Sequence, residues 1–525
     1  MDNTAGKVML LAGIRRYFIA ISAGVIGSFA MPPSDLFIAS FISFTLLIWL
    51  LDGISSGTGR VYSIGRVLSS FVVGWSFGIG YFIAGLWWIK DILIEQNSVV
   101  LPSWGIILLF VSIPIFFAIF YGIATSLSSF LWYDGVGRIC IIACSFGLCE
   151  WLRSWFMGGG TWGSIGYAAM PVPVMMQSVH WIGLFGMNSL SVFCFSSPAL
   201  FGTRQGMKVG VSISSILLTL HVVYGAWRLG NDSDLSQKDE KKMPVIRMVQ
   251  PGINFKTKEK PEKILERYLS LTSLPVDLGQ IDPSIIIWAD VSPFLDIVDS
   301  PQTLNRISGV LKKGQLLIFG STRMERVTSN GQNNFYKSIY VLDSNGKIVT
   351  SSNTKHTLPF FEYLPYKKFL GELNFDLLHF LIDYLSSPNK SVLSLSEDVN
   401  IHPRIFSEIL SNHDIDNNRS STNAIVNLTY DYWLKNNFGG AYQIFRHSRV
   451  QAVEVGLPLI RVENNGISAF FDSRGQLIAS LNIDRSAAID IHLQSTVRNT
   501  IHSEIRMKNF WIIEFILLIL AVIVV

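Results

Sequence analysis

Residues 439–481, GGAYQIFRHSRVQAVEVGLPLIRVENNGISAFFDSRGQLIASL, change their periodicity halfway, and that change decides the fold. The first part spaces apolar residues at i, i+3 and i+4 and reads as an amphipathic helix. After it, LPLIRVE (457–463), GISAFFD (466–472) and QLIASL (476–481) are short β-rich runs, and DSRGQ (472–476) has hairpin-turn composition. A helix followed by short strands is the signature of an α/β domain.

The same alternation extends upstream. Further runs are VIRMVQ (245–250), SIIIWAD (284–290), QLLIFGST (315–322), YKSIYVLD (336–343), SVLSLS (391–396) and NAIVNLT (423–429), with a helix over KPEKILERYLSLTS. This region fits one α/β sandwich with its own core. Sites in such folds lie at the C-terminal ends of strands, which directs attention to Asp290, to Ser396 and Glu397, and to Tyr430 and Asp431. No Walker loop, HExxH or GxSxG occurs, and the nine His show no metal spacing, so no metal is expected. The net charge of +4 is spread along the chain, which argues against a nucleic-acid partner.

Upstream of a polar linker, NDSDLSQKDEKKM (231–243), the composition changes again. Over 525 residues the chain is 49% hydrophobic and only 15% charged, with mean hydropathy +0.38. These values exclude an ordinary soluble protein. Seven apolar stretches crowd the first 230 residues, and an eighth, shorter and carrying Glu514, closes the chain at 510–525. Several approach the roughly 20 residues that a helix needs to cross a bilayer. Lys7, Arg15, Arg16, Arg60, Arg66, Arg138, Arg204 and Lys208 fall in alternate loops, which places the N-terminus inside and the α/β region outside. The first apolar run lacks a small-residue cleavage site and reads as an uncleaved span. The four cysteines, Cys140, Cys144, Cys149 and Cys194, all lie in these spans, so no disulfide is expected in the outer domain. They read as small buried hydrophobes rather than metal ligands.

The expected architecture is a polytopic α-helical membrane protein of about eight spans with an extracytoplasmic α/β sandwich. Its parts are a multi-span region at 1–230, a linker at 231–243, the α/β domain at 244–508 and a C-terminal membrane helix at 509–525.

Seven stretches in order carry a resemblance: GWSFGIGYFIAGLWWI (74–89), GGTWGSIGY (159–167), RMVQPGINFKTK (247–258), IIIWADVSPF (285–294), HTLPFFEYLP (356–365), YDYW (430–433) and residues 450–480. Through them the chain resembles the apolipoprotein N-acyltransferases, nitrilase-superfamily enzymes of the bacterial inner membrane. The resemblance implies a nitrilase-like domain on the periplasmic side. It also implies transfer of an acyl chain from phospholipid to the N-terminal amine of a diacylated apolipoprotein, with no cofactor. In that chemistry a cysteine thiolate attacks the phospholipid ester, a Glu acts as general base and a Lys stabilises the oxyanion.

Mapped onto this chain, the base position of the family's Trp-Pro-Glu is Asp290, one methylene shorter. The place of the oxyanion Lys is Thr354, with Lys355 beside it, displaced by one residue. The family's Cys-Tyr-Glu is expected at Leu395, Ser396 and Glu397, which leaves Leu395 at the nucleophile position; Ser394 and Ser396 are the nearby hydroxyls. Glu362 matches the loop carboxylate and Trp433 the aromatic of Asn-Asp-Ala-Trp, whose Asn is Tyr430 here. Trp162, with Trp87 and Trp88, suits a lipid-binding lip or an interfacial aromatic belt. Taken alone, Asp290 would cap a turn before Ser292 and Pro293. Three readings follow: an acyltransferase with an altered site, an inactive relative that binds lipid or lipoprotein, and a membrane-tethered amidase. Asp290, Lys355 and Leu395 are expected together at one edge of the domain.

Overall fold

The computed structural model describes residues 3–55, 64–91, 94, 103–231, 243–253, 259–292, 294–326, 333–355, 357, 385, 392–411, 422–430, 438–493 and 501–523. It forms two units: Met1–Met157 with Thr161–Asn231 and Ile501–Val525, and Gly158–Gly160 with Asp232–Thr500.

The first unit is built from helices α1 (Ile14–Ser28), α2 (Phe37–Ser55), α3 (Ile64–Gly85), α4 (Ser103–Phe130), α5 (Val136–Phe156), α6 (Val179–Ser196) and α7 (Met207–Gly230), and from the C-terminal helix Ser503–Ile523. Among the described residues six helices, α2 to α7, are long and apolar enough to cross a membrane. Helix α1 has 15 residues, about 22 Å at 1.5 Å per residue, which is short of a hydrocarbon core of about 30 Å. The C-terminal helix starts at Ser503, earlier than expected, and so includes Glu504, Arg506 and Lys508.

Where these helices meet, small residues let backbones touch, the usual solution when lipid removes the hydrophobic drive between helices. A Cβ on Gly24 would collide with the Phe77 carbonyl, and one on Gly80 with that of Ile21. Charges inside the bundle are paired, as burial in an apolar medium demands. Arg138 Nη1 donates to Asp52 Oδ2 at 2.8 Å, and Trp132 Nε1 to Asp52 Oδ1 at 3.0 Å. Arg153 Nη2 lies 2.6 Å from Glu150 Oε2, while Tyr121 and Ser164 donate their hydroxyls to the same carboxylate at 2.7 and 2.8 Å. Glu514 of the C-terminal helix accepts a hydrogen bond from the Ser189 hydroxyl.

The second unit contains two six-stranded sheets. One has the order β12-β1-β2-β3-β4-β5 and the other β11-β10-β9-β8-β7-β6. The strands are β1 (Val245–Gln250), β2 (Ile285–Asp290), β3 (Leu316–Arg326), β4 (Asn333–Asp343), β5 (Ile348–Asn353), β6 (Leu393–Ser394), β7 (Asn400–Ile405), β8 (Ala424–Thr429), β9 (Leu459–Glu463), β10 (Ser468–Phe471), β11 (Leu477–Leu481) and β12 (Ala487–His492). In each sheet three central strands run parallel: β1, β2 and β3 in the first, β7, β8 and β9 in the second.

Alternation along β2 shows how the layers form. Ile285, Ile287 and Ala289 enter a core shared with Ile401, Val426, Leu428 and Ile460 of the other sheet. Ile286 and Trp288 point the opposite way, toward Ile264, Leu265 and Tyr268 of α8 (Pro261–Thr272) and Ile307 of α9 (Pro301–Ser308). Helix α10 (Phe438–Val455) packs on the second sheet through β9. Strands buried on both faces explain the continuous apolar runs in the sequence.

Candidate active site

Asp290 is the last residue of β2, where Gly320 of β3 comes so close that a Cβ there would stand 2.9 Å from the Asp290 Cα. Val291 N donates to Gly320 O at 2.9 Å and fixes the strand end. The Asp290 carboxylate caps the turn that follows: Oδ1 accepts from Ser292 N at 3.0 Å and from the Ser292 hydroxyl. The cap anticipated from Asp-Val-Ser-Pro is therefore present on the same carboxylate as the proposed base. Its backbone carbonyl accepts from Nδ2 of Asn464, which directly follows β9. Tyr268 donates its hydroxyl to Asn464 Oδ1 at 2.6 Å. Burial, with the Asp290 carboxylate nearby, pushes this hydroxyl well above the usual tyrosine range and keeps it a donor.

A second set of bonds ties β5 to β7. Glu408, 4% exposed, accepts from Lys355 N through Oε1 at 2.7 Å and from Ile405 N through Oε2 at 2.9 Å. Lys355 follows the end of β5, and Ile405 ends β7 as a 3-10 turn, Phe406–Leu410, begins. The Thr354 hydroxyl is occupied by Lys337 O at 3.0 Å. At the end of β8, Tyr430 packs edge-on against Phe294, with ring centroids 5.1 Å apart.

Because β5 is antiparallel to β4, and β4 to β3, the ends of β2 and β5 lie at the same edge. The contacts between Asp290 and Asn464, Phe294 and Tyr430, and Lys355 and Glu408 join that edge to the ends of β9, β8 and β7. Asp290, Lys355 and Tyr430 thus stand at the same edge of the domain, whereas Leu395, expected beside Asp290 and Lys355, does not. Glu408 and Asn464 belong with them, although the sequence reading passed over both.

Leu395 does not meet them. Strand β6 has only two residues and pairs antiparallel with the beginning of β7, Leu393 with Ile401 and Ser394 with Asn400. Leu395 and Glu397 lie in the hairpin turn that follows, closed by Leu395 N donating to Val399 O at 2.8 Å. That turn stands at the N-terminal end of β7, opposite the edge that carries Asp290. The strand that runs parallel to β8 toward the Asp290 edge is β7, NIHPRI, whose His402, Pro403 and Arg404 disguise it as a loop. Pro403 is tolerated because β6 pairs only with Asn400 and Ile401.

Glu362 and Trp433 lie outside the described residues. Trp162 belongs to the helical unit and is buried against Trp88, ring centroids 4.7 Å apart, with its carbonyl accepting from Arg153 Nη1 at 2.7 Å. Trp87 is the exposed member of the group.

Residues 23–196 match the family model described as apolipoprotein N-acyltransferase N-terminal domain. Apolipoprotein N-acyltransferase of Rhizobium rhizogenes is 39% identical over 530 residues, covering 100% of this chain and 98% of the relative. The protein of the same name from Allorhizobium ampelinum is 38% identical over 528 residues, with the same coverage. Among solved structures, a Nesterenkonia amidase from the nitrilase superfamily is 12% identical and covers 48% of this chain and 92% of its own, at a TM-score of 0.32. With relatives this similar over its whole length, the chain belongs to the apolipoprotein N-acyltransferase family.

Proposed function

We propose that this chain stands at the lipoprotein N-acylation step of the bacterial inner membrane, with its α/β domain on the periplasmic side. There it holds the phospholipid donor and the diacylated apolipoprotein acceptor but does not carry out the thioester relay. The carrying observation is that no cysteine occurs after Cys194, so the entire α/β domain lacks a thiol.

The relay needs one. A thiolate must form an S–acyl bond as the phospholipid ester's C–O bond breaks, and the lipoprotein amine must then displace the sulfur. Placed after β7, the family's Cys-Tyr-Glu falls on Phe406, Ser407 and Glu408, and its last residue matches. On this reading the nucleophile position is Phe406, the oxyanion position Thr354 and the base position Asp290, all at one edge. Phenylalanine cannot attack an ester, and the Thr354 hydroxyl carries no charge with which to hold an oxyanion. The frame persists without a thiol and without a cation at the oxyanion position, which supports binding over transfer.

Complementation tests this reading. Cells depleted of their own N-acyltransferase would express the chain, and lipoprotein N-termini would be read by mass spectrometry. Diacylated lipoprotein that co-purifies with the stably inserted chain is the expected result. Triacylated lipoprotein would overturn the loss of transfer, and failure to retain either substrate would overturn the binding role.

A further inference from the structure

Helix α7 approaches its neighbours closely at two glycines and leaves most of its length exposed. At one end a Cβ on Gly210 would strike Leu200; at the other, a Cβ on Gly225 would strike the Val174 carbonyl. From Gly210 to Gly225 the helix rises about 22 Å. Only Gly210, Ser214 and Gly225 of the whole helix are buried. Between α6 and α7 lies a cavity of about 400 Å3, walled by Met187, Leu190 and Phe195 of α6 and Leu217, Leu218 and Tyr224 of α7. Ser191 and Cys194, small residues on the α6 face, leave its width open.

This volume falls within the roughly 300–1,000 Å3 of pockets that hold small molecules. Water has little to bond there, and a dry apolar cavity forfeits dispersion contacts. His221, one of the polar groups in the wall with Ser178 and Ser191, is already engaged: its Nε2–H donates to Ala169 O at 3.2 Å, and Nδ1 accepts from the Ser178 hydroxyl at 2.7 Å. The walls are membrane-crossing helices, so the filler at hand is hydrocarbon. At the His221 end the surroundings turn interfacial, with Trp181, Tyr224 and Trp227. One turn beyond Tyr224, Arg228 Nη1 donates to Gln177 Oε1 at 2.9 Å, placing a cation where a lipid phosphate would lie.

We infer that the groove between α6 and α7 is a resident-lipid site that takes one acyl chain of a membrane phospholipid, its headgroup at the Ser178–Arg228 end. The site is formed within the helical unit alone and does not depend on the chemistry assigned to the α/β domain.

The test uses the full chain in nanodiscs of phosphatidylethanolamine that carries a photoreactive diazirine on one acyl chain. After illumination, adducts are mapped by peptide mass spectrometry. Adducts are expected to concentrate on residues 187–195 and 217–224, and to be lost in two independent filling variants, Leu217→Trp and Ser191→Phe. They should persist in Ile216→Trp, whose side chain faces outward. Arg228→Gln should reduce the phospholipid retained through detergent washing. Adducts spread evenly over exposed α6 and α7 positions, or unchanged by either filling variant, would mean only surrounding bulk lipid and overturn the site. A free fatty acid with the same diazirine that labels the groove equally, with no effect of Arg228→Gln, would overturn the phospholipid assignment.

Discussion

Rebuilding the α/β edge residue by residue separates the two registers. Glu408 binds the backbone at both Lys355 and Ile405, so positions 354 and 406 flank one carboxylate, with Asp290 at the neighbouring strand end. Phe406→Cys supplies a thiol at this edge, and Leu395→Cys supplies one at the opposite end of β7. Adding Thr354→Lys returns an oxyanion donor, a group whose loss typically costs about 100- to 1,000-fold in rate. Adding Asp290→Glu restores a methylene, and a displacement of about 1 Å can cost about 100-fold. Phe406→Cys alone is therefore expected to acylate about 10,000- to 100,000-fold more slowly than the triple variant. Intact-protein mass spectrometry, before and after hydroxylamine, reads the acyl thioester directly. A thioester on Leu395→Cys and none on the Phe406→Cys series would refute the placement of the site after β7, and so would a Thr354→Lys addition that changes nothing.

Three further outcomes follow from named contacts. Glu408→Ala leaves the buried N–H of Ile405 and the half-buried N–H of Lys355 without their acceptor, which should cost about 1–4 kcal/mol, with a smaller loss for Glu408→Gln; denaturant titration of the full chain measures it. Arg138→Ala strands the buried Asp52 carboxylate inside the helical unit, a loss of about 3–5 kcal/mol that should appear as a lower unfolding temperature in detergent. Burial raises the Asp472 carboxyl above its usual range, against the pull of its turn hydrogen bonds and of Arg474 and Arg449. The unfolded chain then ionises first, so stability is highest below the unfolded value of about 3.9 and falls as pH climbs toward the raised folded value. Asp472→Asn retains the Oδ1 acceptor for Arg474 N and Gln476 N. It should therefore be the more stable form at neutral pH, with the difference vanishing in acid; greater stability of the unmodified chain at pH 7 would show that the arginines outweigh burial.

The strands that were legible in the sequence are those buried on both faces. VIRMVQ and IIIWAD carry apolar runs that only a covered parallel strand tolerates, and both occur as β1 and β2. Strand β7 was not legible, because a Pro and two polar side chains in six residues contradict the pattern. Its buried His402 and Arg404 are sustained by tertiary surroundings that local composition does not report. SVLSLS alternates as a half-buried strand should and NIHPRI does not, so alternation alone points to the two-residue β6 rather than to the longer β7. At the C-terminal helix the charges of Glu504, Arg506 and Lys508 hid the first turns in the same way. Asp290 was legible both as a strand end and as a turn cap, and it is both.

Several of the bonds that shape the α/β edge end on main-chain atoms. Glu408 grips two amides, Asn464 a carbonyl, and Asp290 the amide of its own turn. Main-chain atoms are the same for every residue type, so the frame does not register which side chains it presents at positions 354 and 406. A lineage can therefore erase the reaction while the architecture goes on folding, since selection for a sound fold is blind to the reactive groups. For the same reason, a chemistry lost this way can be written back one side chain at a time.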